Sequence, residues 1–118
     1  DNYIFIKDRA KDMIISGGEN IYSVQVEDAI CKHEAVLETA VFGIPDDEWG
    51  ESVKAYVVLK PNMNASEDDI INTAKQHLAS YQKPKSVKFI DELPKAPTGK
   101  ILKRNLRDPY WEDSEEKV

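Results

Sequence analysis

A lysine that follows a proline- and glycine-containing loop is the first candidate for chemistry in this sequence. Pro97, Thr98, Gly99 and Lys100 follow one another near the C-terminus. Pro97 fixes one backbone dihedral and Gly99 permits a conformation that a side chain would forbid, so the run can form a tight loop that presents the Lys100 ammonium. Such an ammonium can reach an oxyanion on another surface. The alternative is a surface turn before a short helix.

The charge around Lys100 is opposite in sign to the charge of the whole chain. Among 118 residues there are 22 acidic residues and 16 Lys or Arg, giving a formal net charge of -6, which argues against a general nucleic-acid-binding protein. Residues 81–107 nevertheless carry eight cations and two acids, a net charge of +6. The eight are Lys83, Lys85, Lys88, Lys95, Lys100, Lys103, Arg104 and Arg107. This segment is either a solvated charged face or a site for a phosphate-bearing small molecule.

The composition indicates one small globular domain. Hydrophobic residues make up 41% and charged residues 32%, and no apolar run is long enough to cross a bilayer. The N-terminus lacks the pattern of a secretory signal. The single Cys31 excludes an internal disulfide, so we expect a reduced, cytoplasmic setting and a core position for this side chain.

Alternation of apolar and polar residues predicts an α+β domain, a small two-layer arrangement with an N-terminal β-hairpin and a three-stranded sheet covered by helices. We expect the hairpin to pair residues 3–6 with residues 13–15, and the sheet strands to cover residues 36–44, 52–59 and 87–90. Helices are expected from Ser23, as the N-cap, to about Lys32 and from a Ser66–Asp69 capping box to about Ser80, with a short one over residues 101–106. Residues 108–118 are expected to form a frayed acidic tail.

Eight short motifs occur in an order that resembles one known family. In chain order they are Asp8-Arg9-Ala10-Lys11-Asp12, Ser16-Gly17-Gly18-Glu19-Asn20, Val26-Glu27, Gly43-Ile44-Pro45-Asp46, Trp49-Gly50-Glu51, residues 81–84, Glu92-Leu93-Pro94 and residues 97–100. Together they resemble the C-terminal domain of AMP-forming acyl-CoA synthetases. These enzymes belong to the adenylate-forming superfamily, with aryl-CoA ligases, firefly-type luciferases and peptide-synthetase adenylation domains. The resemblance covers nearly the whole chain except the acidic tail.

The resemblance implies a ligase that works in two steps. A carboxylic acid, expected to be a fatty acid, attacks the α-phosphate of ATP, and the thiol of coenzyme A then displaces AMP from the acyl-adenylate. In the family, this small domain rotates on a large N-terminal domain between the steps, and the large domain holds the nucleotide loop, the acyl pocket and most contacts to Mg²⁺. Because those parts are missing here, we expect residues 1–107 to be the mobile domain of a longer ligase, inactive alone.

Three residues match family positions that act on the nucleotide or on the rotation. Lys100 matches the lysine that enters the active site for adenylation, where it places positive charge on the reacting oxygens. Lys11 matches the hinge position. The alternative interpretation of this residue is an ordinary lysine in a turn. Arg9 matches an arginine that contacts the ribose or phosphate of the nucleotide.

The glycine loop matches the part of the family that lines the path of the pantetheine arm of coenzyme A. Ser16, Gly17 and Gly18 are the implied coenzyme-binding residues, because a thin thiol arm must pass against bare backbone. Taken alone, this loop is an ordinary exit from a hairpin. Relatives often carry a lysine where this chain has Gln82, so the adjacent Lys83 is a weaker coenzyme-binding candidate.

Two alternatives remain open from the sequence. A free-standing α+β binding or regulatory module would explain the fold but would leave Lys11, Gly17 and Lys100 as a coincidence. A luciferase or a peptide-synthetase adenylation domain would share the first step and differ in the second. The continuation Lys100-Ile101-Leu102-Lys103-Arg104 is more similar to acyl- and aryl-CoA ligases, which favours coenzyme A as the acceptor.

Overall fold

A computed structural model describes the backbone of residues 13–116 and the side chains up to Glu112. The predicted strand at residues 3–6 lies outside the described residues, as do Arg9 and Lys11. The strands are β1 Met13–Ser16, β2 Glu19–Tyr22, β3 Val36–Asp46, β4 Gly50–Leu59 and β5 Ser86–Phe89. The helices are α1 Ser23–Ile30, α2 Glu67–Lys75 and α3 Lys103–Glu116, with a 3-10 turn at Ser80–Gln82. The predicted α+β class is confirmed.

Three strands form the central sheet in the order β3-β4-β5. Strand β4 pairs antiparallel with β3 and parallel with β5. All three strands were predicted, but β3 continues past Ile44 through Pro45 to Asp46. Along β3 the backbone N–H groups point alternately towards β4 and away from it. The N–H of Val41 points away from β4 and bonds the Glu27 carboxylate, and position 45 has the same orientation. Because β3 is an edge strand, Pro45 therefore removes no hydrogen bond of the ladder.

The first face of the sheet packs against α1, α2 and the β1–β2 hairpin. Its core contains the fully buried Ile21, Val26 and Ile70 on these elements, packed over Val41 and Val57 of the sheet. Successive residues of β4 point to opposite faces, so its odd-numbered apolar residues serve this core and its even-numbered ones serve the other.

Residues 13–22 form a hairpin that the sequence did not predict, while the predicted pairing with residues 3–6 lies outside the described residues. Residues Met13–Ser16 pair with Glu19–Tyr22, so the predicted loop supplies the second strand instead of only joining elements. Gly17 and Gly18 form the two-residue turn, with φ of 60° and 83°. Positive φ at both central residues gives a turn whose twist matches that of the flanking strands.

Helix α3 covers the second face of the sheet, which adds a layer to the predicted two-layer arrangement. Phe42 and Tyr56 are buried there, and the Tyr56 hydroxyl lies 2.7 Å from the Tyr110 hydroxyl. Burial, together with this hydrogen bond, raises the pKa of Tyr56 to about 12. Trp111 Nε1 donates to Gly43 O at 2.9 Å. The predicted short helix and frayed tail are therefore corrected, because α3 runs to Glu116 and its aromatic residues bond to the sheet.

The helix ends agree with the sequence in one case and differ in others. Ser66 and Asp69 form the predicted capping box, but α2 ends at Lys75. The N-cap of α1 is Tyr22, whose side chain makes no capping bond, and Ser23 is a buried residue of the first turn. Cys31 is exposed, so its predicted core position is wrong.

Asp46 joins the β3–β4 turn to the start of β5. Its Oδ1 accepts the backbone N–H groups of Glu48 at 2.9 Å and Trp49 at 3.0 Å. Its Oδ2 accepts from Lys85 Nζ at 2.7 Å. The hydrogen bond from Lys85 and the two backbone bonds lower the pKa of Asp46 from 3.8 to about 2.

Within residues 13–116, none of the helices has the length and apolar character needed to cross a membrane.

The Asp46→Asn variant should lose the stabilisation that depends on this low pKa. A carboxylate whose pKa is lower in the folded chain stabilises it above the unfolded pKa, and the effect is lost as pH falls through the folded pKa. Urea unfolding of both proteins should show a free-energy difference that is full above about pH 4 and disappears towards about pH 2. Asp47→Asn, in the same turn, is the control, and a difference independent of pH would contradict this account.

Replacing Trp111 with alanine tests the docking of α3. Loss of the indole and its bond to Gly43 O should lower the free energy of unfolding by about 3 kcal/mol. Glu112→Ala, at an exposed position of the same helix, should change it by less than about 0.5 kcal/mol. Equal small effects of both variants in urea unfolding would restore the frayed-tail prediction.

Candidate functional site

A cleft of about 290 Å³ lies where the β1–β2 turn, the β3–β4 turn and the 3-10 turn meet. The residues that line it include Ser16, Gly17, Trp49, Tyr81 and Lys83. Three of the four residues predicted to contact coenzyme A, namely Ser16, Gly17 and Lys83, are therefore brought together.

The wall of this cleft is backbone and indole because position 17 admits no side chain. Gly17 N donates to Trp49 O at 2.9 Å, and a Cβ on Gly17 would lie 2.7 Å from Trp49 Cε3. The φ of Gly17 is also positive. Gly18 differs, since a Cβ there would meet nothing within 4 Å. Glycine is therefore required at position 17 by both contact and conformation, and at position 18 by conformation alone.

Cationic side chains lie beside the cleft on the segment that leads into β5. Lys83 and Lys85 are exposed, while Pro84 between them is fully buried. Pro84 thus anchors the segment and leaves one lysine on either side of it. Gln82 accepts from Ala79 N at 2.9 Å and donates to Gln25 Oε1 at 3.0 Å. Gln82 therefore stabilises the 3-10 turn and connects it to α1.

Lys100 follows a three-residue hairpin loop. Ala96 O accepts from Gly99 N, and Ala96 N donates to Lys100 O, both at 2.8 Å. Pro97 occupies the first central position of the turn and Gly99 has a φ of 91°, the combination found in a type I turn followed by a glycine bulge. The structure thus contains the tight loop that the sequence predicts, and Lys100 is exposed on it.

The hairpin that carries Lys100 is separate from the cleft. Its base is closed by the bridge between Lys95 and Ile101, and Leu102 N donates to Pro94 O at 2.8 Å. Ile101 packs against the core of the second face, whereas the cleft is built on the β1–β2 turn. Lys100 is not among the residues that line the cleft.

Trp49, Tyr81 and Lys85 also line the cleft, although the sequence marked the two aromatic residues only as motif members and Lys85 only as part of the basic segment. Trp49 and Tyr81 are 49% and 47% exposed. Large aromatic side chains in turns between predicted elements are a signal that could have identified Trp49 and Tyr81.

Across residues 13–116 no three His, Cys, Asp or Glu side chains are grouped so that they could hold a metal ion.

Known proteins similar to this chain include two that are named as fatty-acid ligases. A fatty acid–[acyl-carrier-protein] ligase of Streptomyces coeruleorubidus is 45% identical over 118 residues, which is 100% of this chain and 23% of that ligase. A long-chain-fatty-acid–CoA ligase of Mycobacterium tuberculosis is 48% identical over 110 residues, 93% of this chain and 22% of the ligase. The chain thus spans about a fifth of the length of these relatives.

Solved structures and a family model agree with the sequence relatives. The crystal structure of ATP-bound MatB from Rhodopseudomonas palustris superposes with a TM-score of 0.81 at 36% identity, covering 86% of this chain and 20% of that one. The family model for the AMP-binding enzyme C-terminal domain matches residues 25–100, more than half of the chain, and its match ends at Lys100. The resemblance drawn from the motifs is confirmed, and the chain belongs to the family of AMP-binding enzyme C-terminal domains.

Proposed function

We propose that this chain is the mobile C-terminal domain of an acid–thiol ligase that converts a carboxylic acid and ATP into an acyl-adenylate and then into a thioester of coenzyme A. In the first step a carboxylate oxygen attacks the α-phosphorus and pyrophosphate leaves. In the second step the thiol sulfur attacks the acyl carbon, and AMP leaves. Family membership and the name of the Mycobacterium tuberculosis relative support this reaction.

The observation that carries the proposal is the separation of two candidate sites on one small domain. The Lys100 hairpin packs on the second face of the sheet through Ile101, and the cleft with Gly17 lies at the β1–β2 turn. Two chemical steps that need different groups are served by a domain that turns one site and then the other towards the reactants. Lys11 is the proposed hinge, and it would connect this domain to the N-terminal domain of the same ligase.

Lys100 would act in the first step. An ammonium on a three-residue loop of fixed geometry can approach the carboxylate and the phosphate oxygens together and stabilise the charge that develops on them. Phosphoryl chemistry of this kind depends mainly on position and charge, so the lysine needs no adjacent nucleophile. Arg9 is the proposed partner to the ribose or phosphate. Mg²⁺ would accompany ATP, held by its phosphates and the other domain.

The cleft would act in the second step. The pantetheine arm of coenzyme A is narrow, and bare backbone at Gly17 beside Ser16 and Gly18 leaves room for it. Lys83 lies beside the cleft as a cation for the phosphates of the coenzyme. A cleft lined by bare backbone and a lysine favours a phosphorylated thiol carrier over the alternative of a binding module with no catalytic part.

A fatty acid is the proposed acid, since both relatives are named for fatty acids. Their acceptors differ, because one is named for coenzyme A and the other for an acyl-carrier protein. Lys83 and Lys85 line the cleft, and these cations favour the free coenzyme with its several phosphates. Pyrophosphate release from a series of carboxylic acids, followed by competition between the two acceptors, tests both assignments in the full-length ligase.

Lys100→Ala should slow adenylation and spare thioester formation. Removing one charge that stabilises a developing oxyanion typically costs about 100- to 1000-fold in rate. The two steps are measured separately, as acid-dependent pyrophosphate release and as the reaction of presynthesised acyl-adenylate with coenzyme A. Lys75→Ala, on the exposed end of α2, is the control. Wild-type adenylation by Lys100→Ala would refute the assignment.

Gly17→Leu should have the opposite effect, because its side chain would displace Trp49 and occupy the cleft. We expect thioester formation to fall while acyl-adenylate synthesis continues. Lys75→Leu is the control, since it introduces the same side chain at an exposed position of α2 that does not line the cleft. If Gly17→Leu slows both steps equally while Lys75→Leu slows neither, the cleft is not the thiol path.

A further inference from the structure

A partly buried ion pair joins α1 to the first residue of α3. Lys103 Nζ lies 2.6 Å from Glu27 Oε2, and the two side chains are only 21% and 20% exposed. The same Oε2 accepts Val41 N at 2.9 Å. Lys103 Nζ also donates to Ser23 Oγ at 3.2 Å. One carboxylate therefore connects three elements, α1, β3 and α3.

The pair crosses the open edge of the sheet. Val41 stands opposite Ala55 of β4, yet its N–H points to Glu27 and so away from β4. Glu27 belongs to α1 on the first face, and Lys103 begins α3 on the second face. The ion pair is thus a link around the edge of β3 between the two layers of helices.

Lys103 is also the exit of the hairpin that carries Lys100. Only Ile101 and Leu102 separate the two lysines, and both are held, by the bridge to Lys95 and by the bond to Pro94 O. Little freedom remains between the anchored ammonium of Lys103 and the backbone of Lys100. A displacement at one lysine is therefore transmitted to the other.

A second ion pair holds the entry strand of the hairpin, with Lys95 Nζ 2.7 Å from Glu38 Oε1. These side chains are 38% and 27% exposed, so water weakens their attraction. The Glu27–Lys103 pair is drier and includes a backbone N–H, and removing one partner leaves a partly buried charge without its counter-ion. It is the stronger of the two anchors.

We propose that Glu27 and Lys103 are positioning residues that fix the place of the Lys100 hairpin for the adenylation step. The inference rests on the proposed function of Lys100. Lys100 has a long flexible stem, so the position of its backbone decides which oxygens its ammonium reaches. The Gly17 turn does not depend on this anchor, because buried Ile14 and Ile21 and the bond to Trp49 O hold it. Loss of the pair therefore affects the first step and not the second.

The test is the Lys103→Met variant of the full-length ligase, assayed on each step separately. We expect kcat for adenylation to fall about 10- to 100-fold, the effect of a misplaced catalytic group, and the reaction of presynthesised acyl-adenylate with coenzyme A to be unchanged. Lys103→Arg should recover most of the adenylation rate, because a guanidinium also bonds a carboxylate. Lys75→Met is the matched control and should leave both steps unchanged.

A double-mutant cycle with Glu27→Gln completes the experiment. If the two residues act together, the double variant is little slower than either single variant. Equal loss of both steps, without recovery in Lys103→Arg, would mean that the pair serves folding only and would overturn the inference. Lys100→Ala is measured in the same series. If it adenylates normally the proposed function fails, whereas if it is slow and Lys103→Met is normal only the positioning pair fails.

Discussion

The open edge of β3 is the constraint on which the arrangement of this domain depends. An edge strand presents backbone groups that its own sheet does not pair. Here the Glu27 carboxylate accepts the N–H of Val41, and the indole of Trp111 donates to the carbonyl of Gly43. Helices on opposite faces of the sheet, α1 and α3, thus meet along the same edge. The edge is protected against pairing with another chain, and the two layers acquire a fixed relation.

This fixed relation explains how so small a domain can carry two rigid sites. The first core holds the β1–β2 hairpin, whose turn at Gly17 is pressed against Trp49. The second core holds Ile101, at the base of the other hairpin. Since the sheet separates the two cores, a change at one site is not expected to disturb the other. The proposed rotation of the domain as one body needs this independence, because each proposed site must stay formed while the other is in use.

Much of this architecture follows from local sequence. Alternating apolar residues predicted all three sheet strands, and the Ser66–Asp69 pair predicted the start of α2, because both features depend on neighbours in the chain. The tail could not be predicted, since acidic composition after Arg107 outweighed Tyr110 and Trp111, whose partners Tyr56 and Gly43 are distant in sequence.

The candidate site divides in the same way between local and distant contacts. The tight loop before Lys100 follows from proline and glycine chemistry alone. The cleft does not, because it requires Trp49 to meet Gly17 across more than thirty residues of chain. The β1–β2 hairpin was not predicted, since its two glycines were taken to mark a loop between elements rather than a turn within a hairpin. Local patterns therefore identify which residues are unusual, and packing decides which of them meet.

The two tryptophans of the chain occupy contrasting surroundings, which gives the domain two optical reporters. Trp49 is half exposed beside the cleft, so its emission is that of a hydrated indole and responds to whatever displaces water there. Trp111 is partly buried and hydrogen-bonded to the sheet, so its emission follows the docking of α3. In two variants that each keep one tryptophan and carry phenylalanine in place of the other, fluorescence reports occupancy of the cleft and detachment of the helix separately.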